Sequence, residues 1–281
     1  MPERSPVLTT NPPALPLRAE IRRQLRRRRT LAVFLVIALL PLILIAAFAL
    51  GSDDDGPGAR TFVDLAQESG ANLVVFVLFA STSFLLVVVV ALFAGDTVPS
   101  EASWSSLRYL LAAPVRRERL LRQKLAVAGL FSIVALSALP AWSLLVGGLA
   151  YGWGPYVGPT GDQVGWPLFG WRLVLMVVYL LLSLMVVASF AFALGVWTDA
   201  PLAAVGGAVL LMILSAILDS IPALGDIRDG LPGHYSHAWM ETLSPTVDYS
   251  DMVNGALWSV GYSVVLIGLA VWHFLRKDIT S

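Results

Sequence analysis

RRRRTLAVFLVIALLPLILIAAFALGSDDD, Arg26 to Asp55, decides the fold of this chain: four arginines, an uncharged apolar run, then three aspartates. A helix rising 1.5 Å per residue needs roughly 20 apolar residues to cross the hydrocarbon of a bilayer. Hydrocarbon offers no partner to backbone N–H and C=O groups, so such a run must be helical. Thr30–Leu50 is therefore read as a membrane span, with fixed charge at both ends. It follows a long polar stretch and is too long and too far in for a cleaved signal peptide.

Working outward, five more runs of the same kind appear at Asn72–Ala94, Leu125–Ala150, Trp171–Gly195, Leu202–Ile221 and Asn254–Leu275. The chain is 57% hydrophobic and only 14% charged, outside the range of an ordinary soluble domain. No remaining stretch is long enough for a separate soluble domain. The expected fold class is an all-α integral membrane protein, one domain over 1–281, with six transmembrane helices.

Charge orients it. Lysine and arginine cluster in positions 1–30, at Arg108, Arg116, Arg117, Arg119, Arg122 and Lys124, and at Arg276 and Lys277. Only Arg60, Arg172 and Arg228 fall in the alternate loops, whereas Asp53 to Asp55, Asp64, Glu68, Asp162, Asp226, Asp229, Asp248 and Asp251 all do. By the positive-inside rule both termini and the 98–124 connection are cytoplasmic. We call the arginine-rich end inner and the opposite end outer.

Residues 1–17 are proline-rich and read as a disordered lead. Over 18–29, leucine and isoleucine at Leu17, Ile21 and Leu25 recur every four residues among arginines. That spacing predicts a basic amphipathic helix on the inner membrane surface, with Arg22, Arg23, Arg26 and Arg27 on anionic lipid. Of the outer loops, Gly51–Arg60 is an acidic turn and Tyr151–Trp171 is aromatic-rich, suited to the headgroup level. The longest, 222–253, holds HYSHAWME, with His234–Leu243 expected as a short helix ending before Pro245. At the inner turn GVWTDAP, Asp199 is expected to cap the fifth span with Pro201 in its first turn. So short and rigid a turn also gives a cytoplasmic partner a handle.

Catalytic signatures are absent. There is no cysteine, and neither Lys124 nor Lys277, the only lysines, follows a glycine, so no phosphate loop exists. HExxH and GxSxG are missing too. At helical spacing His234, His237 and Glu241 would share a face and could hold zinc. No fourth ligand is evident, so no metal site is assigned. The spans carry almost no ionisable groups, with Asp219 near the outer end of the fifth and His273 near the inner end of the sixth. An ion-coupled transporter needs such groups within its spans, so energy must enter from elsewhere. The spans do carry small and hydroxyl residues, including Ser81, Thr82, Ser83, Ser132, Ser143, Ala203, Gly206 and Gly207. These serve close helix packing or line a weakly polar path for an amphiphile between two subunits.

The inner connection reads VPSEASWSSLRYLLAAPVRRERLLRQKLA, Val98 to Ala126. Trp104, Leu107 and Leu111 share one helical face, and Pro114 ends that helix. A second helix, with Arg116, Arg117, Arg119 and Arg122 on its wet side, then runs unbroken into the third span. A corner followed by a continuous helix is the build of a lever.

Glu101, Ser106-Leu107-Arg108, Leu110-Leu111, Pro114-Val115, Arg117 and Lys124 resemble the run of the type 2 ABC-transporter permeases, with serine at 106 where that family often has threonine. The resemblance implies a permease subunit of the plasma membrane with no ATPase or cofactor site of its own. It implies pairing with a second permease copy or paralogue and docking of a separate ABC ATPase subunit that holds ATP and Mg. Glu101, Trp104, Leu107, Arg108, Leu111 and Pro114 would then form the coupling surface, with a lesser one at Trp197 to Asp199. Arg117 and Lys124 would transmit movement, and the 222–253 segment would gate the outer exit. No nucleic-acid partner is expected. Two rivals remain: a membrane-embedded lipid-modifying enzyme using His234, His237 and Glu241, and a non-transporting scaffold.

Overall fold

The computed structural model describes residues 17–51, 61–97 and 117–276, and within them the protein is almost entirely helical. A short α1 (Leu17–Leu25) leads into α2 (Arg28–Leu50), followed by α3 (Phe62–Gln67), α4 (Gly70–Thr82), α5 (Leu85–Gly95) and the long α6 (Arg117–Tyr151). A two-residue strand pair, β1 (Tyr156–Val157) and β2 (Gln163–Val164), precedes α7 (Trp166–Ser183), α8 (Met185–Thr198) and α9 (Pro201–Asp219). Two 3-10 helices, Pro222–Gly230 and Ala238–Leu243, cover the outer end before α10 (Ser250–Arg276) returns inward.

Five helices, α7 and α8 taken as one, are each long and apolar enough to cross a membrane. The pair α4 and α5, bent by 59°, passes the same test of length and composition when taken as one broken span, which brings the number among the described residues to six. This is a multi-pass all-α membrane protein. A helix, or for the second run the bent pair, lies over each of the six apolar runs.

The second span is not the straight helix expected. It breaks at Ser83 and Phe84, within the sequence AST-SF. Thr82 Oγ1 donates back to Leu78 O at 2.7 Å, a side-chain bond that competes with the backbone ladder and bends helices. No side chain caps α5 at Phe84.

Helices α4, α5 and α8 form the centre. Ala71, Leu73, Val74 and Val77 of α4, Ala91 of α5 and Val187 and Ala191 of α8 have almost no exposure. The halves of the broken span face different neighbours: α4 lies on α6, whereas α5 lies on α8, α9 and α6. Close packing needs glycine at Gly70, where a Cβ would meet the Gly148 backbone nitrogen at 2.5 Å. Peripheral α2 leans on α6, where Trp142 Nε1 donates to Ala38 O at 2.9 Å beside Pro41. Small residues of α9 divide in role, since a Cβ on Gly207 would strike Leu194 at 2.4 Å while Gly206 faces open space.

Two local expectations change. Asp199 does not cap α9. It ends α8 in the left-handed region at φ 51°, with its N–H on Gly195 O at 3.1 Å, and Ala200 takes the N-cap position ahead of Pro201. A left-handed turn reverses the chain in fewer residues than a cap, and aspartate tolerates that backbone better than most side chains. Likewise, 234–243 is not one helix: turns run to His237 and the 3-10 helix starts at Ala238.

Candidate functional site

The inner end is built on buried charge. Helix α1 presents Glu20 and Gln24, four apart, to the protein interior, and both are buried. Lys124, at the start of the apolar part of α6, is 5% exposed, and its Nζ donates to Glu20 Oε1 at 3.1 Å. Arg23 of α1 adds a 2.8 Å bond to the same oxygen. One residue past α5, Asp96 is 4% exposed and accepts from Arg27 at 2.9 Å and also from Arg29. Thr97 next to it turns its hydroxyl onto Ala94 O at 2.7 Å. Charges removed from water persist only when paired. The inner connection is thus anchored on both sides, at Asp96 before it to the start of α2 and at Lys124 after it to α1.

Of the four arginines expected on lipid, Arg22, Arg23 and Arg26 are exposed, Arg23 also meeting Glu20, and the half-buried Arg27 meets Asp96. Leu25, expected on the apolar face, is 49% exposed. Helix α1 turns Glu20 and Gln24 toward the bundle, and Ile21 packs against the core beside them. Sequence reading passed over Glu20 and Asp96, although two carboxylates within so basic an end were a signal of pairing.

Arg117 lies in the first turn of α6. Glu101, Trp104, Leu107, Arg108, Leu111 and Pro114 lie outside the described residues. Trp197 is partly exposed at the inner end of α8, edge-on to His273 with ring centroids 6.5 Å apart. Nearby, the Arg276 guanidinium sits 4.5 Å from the centre of the Trp272 ring. An aromatic inner face of α8 and α10 therefore flanks the Asp199 turn.

The outer end is built on hydrogen bonds. Tyr179 and Tyr262 hydroxyls donate to the carbonyls of Tyr235, at 2.5 Å, and of Gly230, so α7 and α10 both hold the 222–243 segment. Gly233 N–H donates to Ser215 Oγ of α9 at 2.8 Å, an approach a side chain would crowd, since a Cβ there would lie 3.0 Å from that oxygen. His237 Nε2 faces Ser83 Oγ at 3.3 Å, and its Nδ1 faces Ser236 Oγ at 3.1 Å. Burial holds the His237 imidazole below its ordinary range. Burial, with the Asp251 carboxylate beside it, holds Glu241 above the usual carboxylate range.

The suggested zinc trio does not converge. His234 Nδ1 contacts Asp219 and its Nε2 lies 3.5 Å from Asp229, whereas His237 turns to Ser83 and Glu241 to Asp251. Among the described residues no group of three or more potential ligands could hold a metal ion. The reason is the turn at 231–237, which replaces the helical spacing that would have aligned them.

Between these groups lies a cavity of about 180 Å³. The break of the second span supplies Thr82 and Ser83, the α7–α8 joint supplies Ser183, and α9 supplies Asp219. His234, Ser236 and His237 close it from the outer segment. One more buried group was missed: Arg172, counted with the outer-loop charges, is in the second turn of α7, 7% exposed, with one guanidinium nitrogen unbonded.

Fold and charge together define a multi-pass membrane protein with an ion-paired inner end and a hydroxyl-lined outer cavity. Residues 33–280 match the family of proteins of unknown function DUF2705, and the chain belongs to that family. Among curated proteins, none matches the sequence. The match starts within α2, after α1 and its arginines.

Proposed function

We propose that the chain is the permease subunit of an ATP-driven exporter of the type 2 ABC kind, working in the plasma membrane as a dimer with a second copy or paralogue. The observation that carries the reading is the inner connection itself. Its run from Glu101 to Lys124 resembles the family's coupling segment, and its two ends are held by buried ion pairs to α1 and α2. A lever needs a stiff mount and a direct join to a moving span. Asp96 and Lys124 supply the mount, and the unbroken α6, 35 residues long, supplies the join. A separate ATPase subunit, carrying ATP and Mg, supplies the work, because the chain has no phosphate loop of its own.

The test is co-purification from mild detergent of the partner ATPase with the full chain. Replacing Glu101 and Arg108 together with alanine should abolish capture of the ATPase while the chain still inserts and elutes as a single species. Undiminished capture by that double variant would refute the docking assignment. The lipid-enzyme alternative draws no support from His234, His237 and Glu241, which point to separate partners.

A further inference from the structure

We infer that the cavity at the break of the second span is a binding site for the polar head of an amphiphile whose head carries no net charge, either zwitterionic or a neutral polyol. The inference deepens the exporter reading by naming its substrate class, and depends on that reading only for the statement that the amphiphile is moved.

Position comes first. A helix interrupted inside hydrocarbon leaves backbone polar groups that lipid cannot satisfy. Interruptions at that depth are found where the chain lines a cavity or is covered by protein, and in transporters they mark the binding site. Here the break at Ser83 and Phe84, the joint at Ser183 and Leu184 and the outer segment meet around one partly open cavity. At about 180 Å³ it has room for several waters or for a small polar group in their place.

Chemistry sets the class. Ser83, Ser183 and Ser236 bring hydroxyls, and His237 brings an imidazole ring between two of them. Such groups exchange donor and acceptor roles with a hydroxylated or zwitterionic head. The one carboxylate in the lining, Asp219, is already met by His234 and by Arg228 at 3.5 Å. A cation would therefore have to displace an existing partner, and an anion would meet Asp219. Desolvating an ion without a matching partner is strongly unfavourable, so the site selects against net charge of either sign.

Access completes it. Met212 and Ala216 of α9 line the cavity, and Ile213 and Ile217, one position further round the helix, are exposed on the bundle's apolar outside. A head held at Ser83 and His237 leaves its chain lying along that ridge, in lipid.

The test offers the purified full-length chain an equimolar mixture of phosphatidylethanolamine, monoglucosyl diacylglycerol, phosphatidylglycerol and dodecyltrimethylammonium, and reads retained molecules by native mass spectrometry. Retention of the first two over the charged pair by about tenfold is expected, equivalent to roughly 1.4 kcal/mol. Ser83→Ala should weaken that preference, and Ala216→Met, which fills the cavity from α9 without touching a polar group, should abolish it. Retention of none of the four, preference for either charged amphiphile, or retention unchanged by both variants would overturn the inference. If retention follows the variants but no ATPase co-purifies, the site stands and the exporter reading falls.

Discussion

The two ends of the bundle are held by different forces. At the inner end, Glu20, Lys124, Asp96, Arg27 and Arg29 hold α1, α2, α5 and α6 together through charge, with both carboxylates below 10% exposure. At the outer end, the 222–243 segment is held by single hydrogen bonds to Tyr179, Tyr262, Ser215 and Ser83 and by Arg228 and His234 on Asp219 of α9, charges that stay partly in water. A buried ion pair tolerates little displacement, because separation leaves a desolvated charge. Neutral hydrogen bonds, each contributing about 1 kcal/mol net, can be exchanged one by one, and partly solvated charges such as Asp219 and Arg228 part at little cost. The contrast assigns stiffness to the inner end and rearrangement to the outer.

The largest effect is expected from Lys124→Met, which takes from Glu20 its buried partner and leaves it the more exposed Arg23. Loss of about 3 kcal/mol should appear as a clear drop in thermal stability in detergent. Adding Glu20→Leu should recover most of it, since an apolar pair can replace a buried ion pair without loss; failure of the double variant to recover would mean the charges matter individually. Asp96→Asn ranks next. It removes the charge shared by Arg27 and Arg29 but keeps an acceptor, and Arg29 is largely solvated, so about 1–2 kcal/mol is expected. Faster tryptic cleavage within the 98–122 connection should accompany it.

Outer substitutions should be milder. Tyr262→Phe removes one bond to Gly230 O and should lower stability by about 1 kcal/mol, while amide exchange in 222–243 rises and that of α1 does not. If α1 exchange rises equally, the two ends are not independent. The smallest effect is a pH dependence. The folded chain holds His237 below its ordinary value of 6.5, so it takes up a proton there less readily than the unfolded chain does. Stability from this group is complete above that value and falls as pH drops through it toward the lowered value. Glu241, held above its ordinary value, works in the opposite sense, gaining stability as pH falls. Comparing wild type with His237→Gln isolates the histidine: melting temperature should fall less in the variant across that window.

Much of the fold was legible because the bilayer imposes a length and a polarity that a sequence cannot disguise. The apolar runs and the arginine count gave the spans and their order. What escaped was set by side chains reaching across the chain. At the break, Thr82 bonds its own backbone and Ser83 meets His237, 154 residues away, a contact no local pattern announces. Glu20 and Asp96 were hidden by a count that weighed net charge per loop, when their role lies in which arginine each meets. Asp199 and Pro201 read as a helix start because an N-cap aspartate and a left-handed aspartate look alike in sequence. Arg172 fell at the edge of its run and was taken for loop charge, whereas α7 begins six residues earlier.

The chain has no cysteine, so paired cysteines can carry spin labels without removing anything. One pair at Arg22 and Arg122 reports on the inner mount, and another at Phe62 and Ile227, both exposed at the outer end, reports on the outer segment. Double electron–electron resonance on the full chain with its ATPase partner, with and without ATP, should give an inner distance that stays narrow and unchanged while the outer distance shifts. An inner distance that broadens or moves with ATP, over an outer distance that does not, would contradict the account.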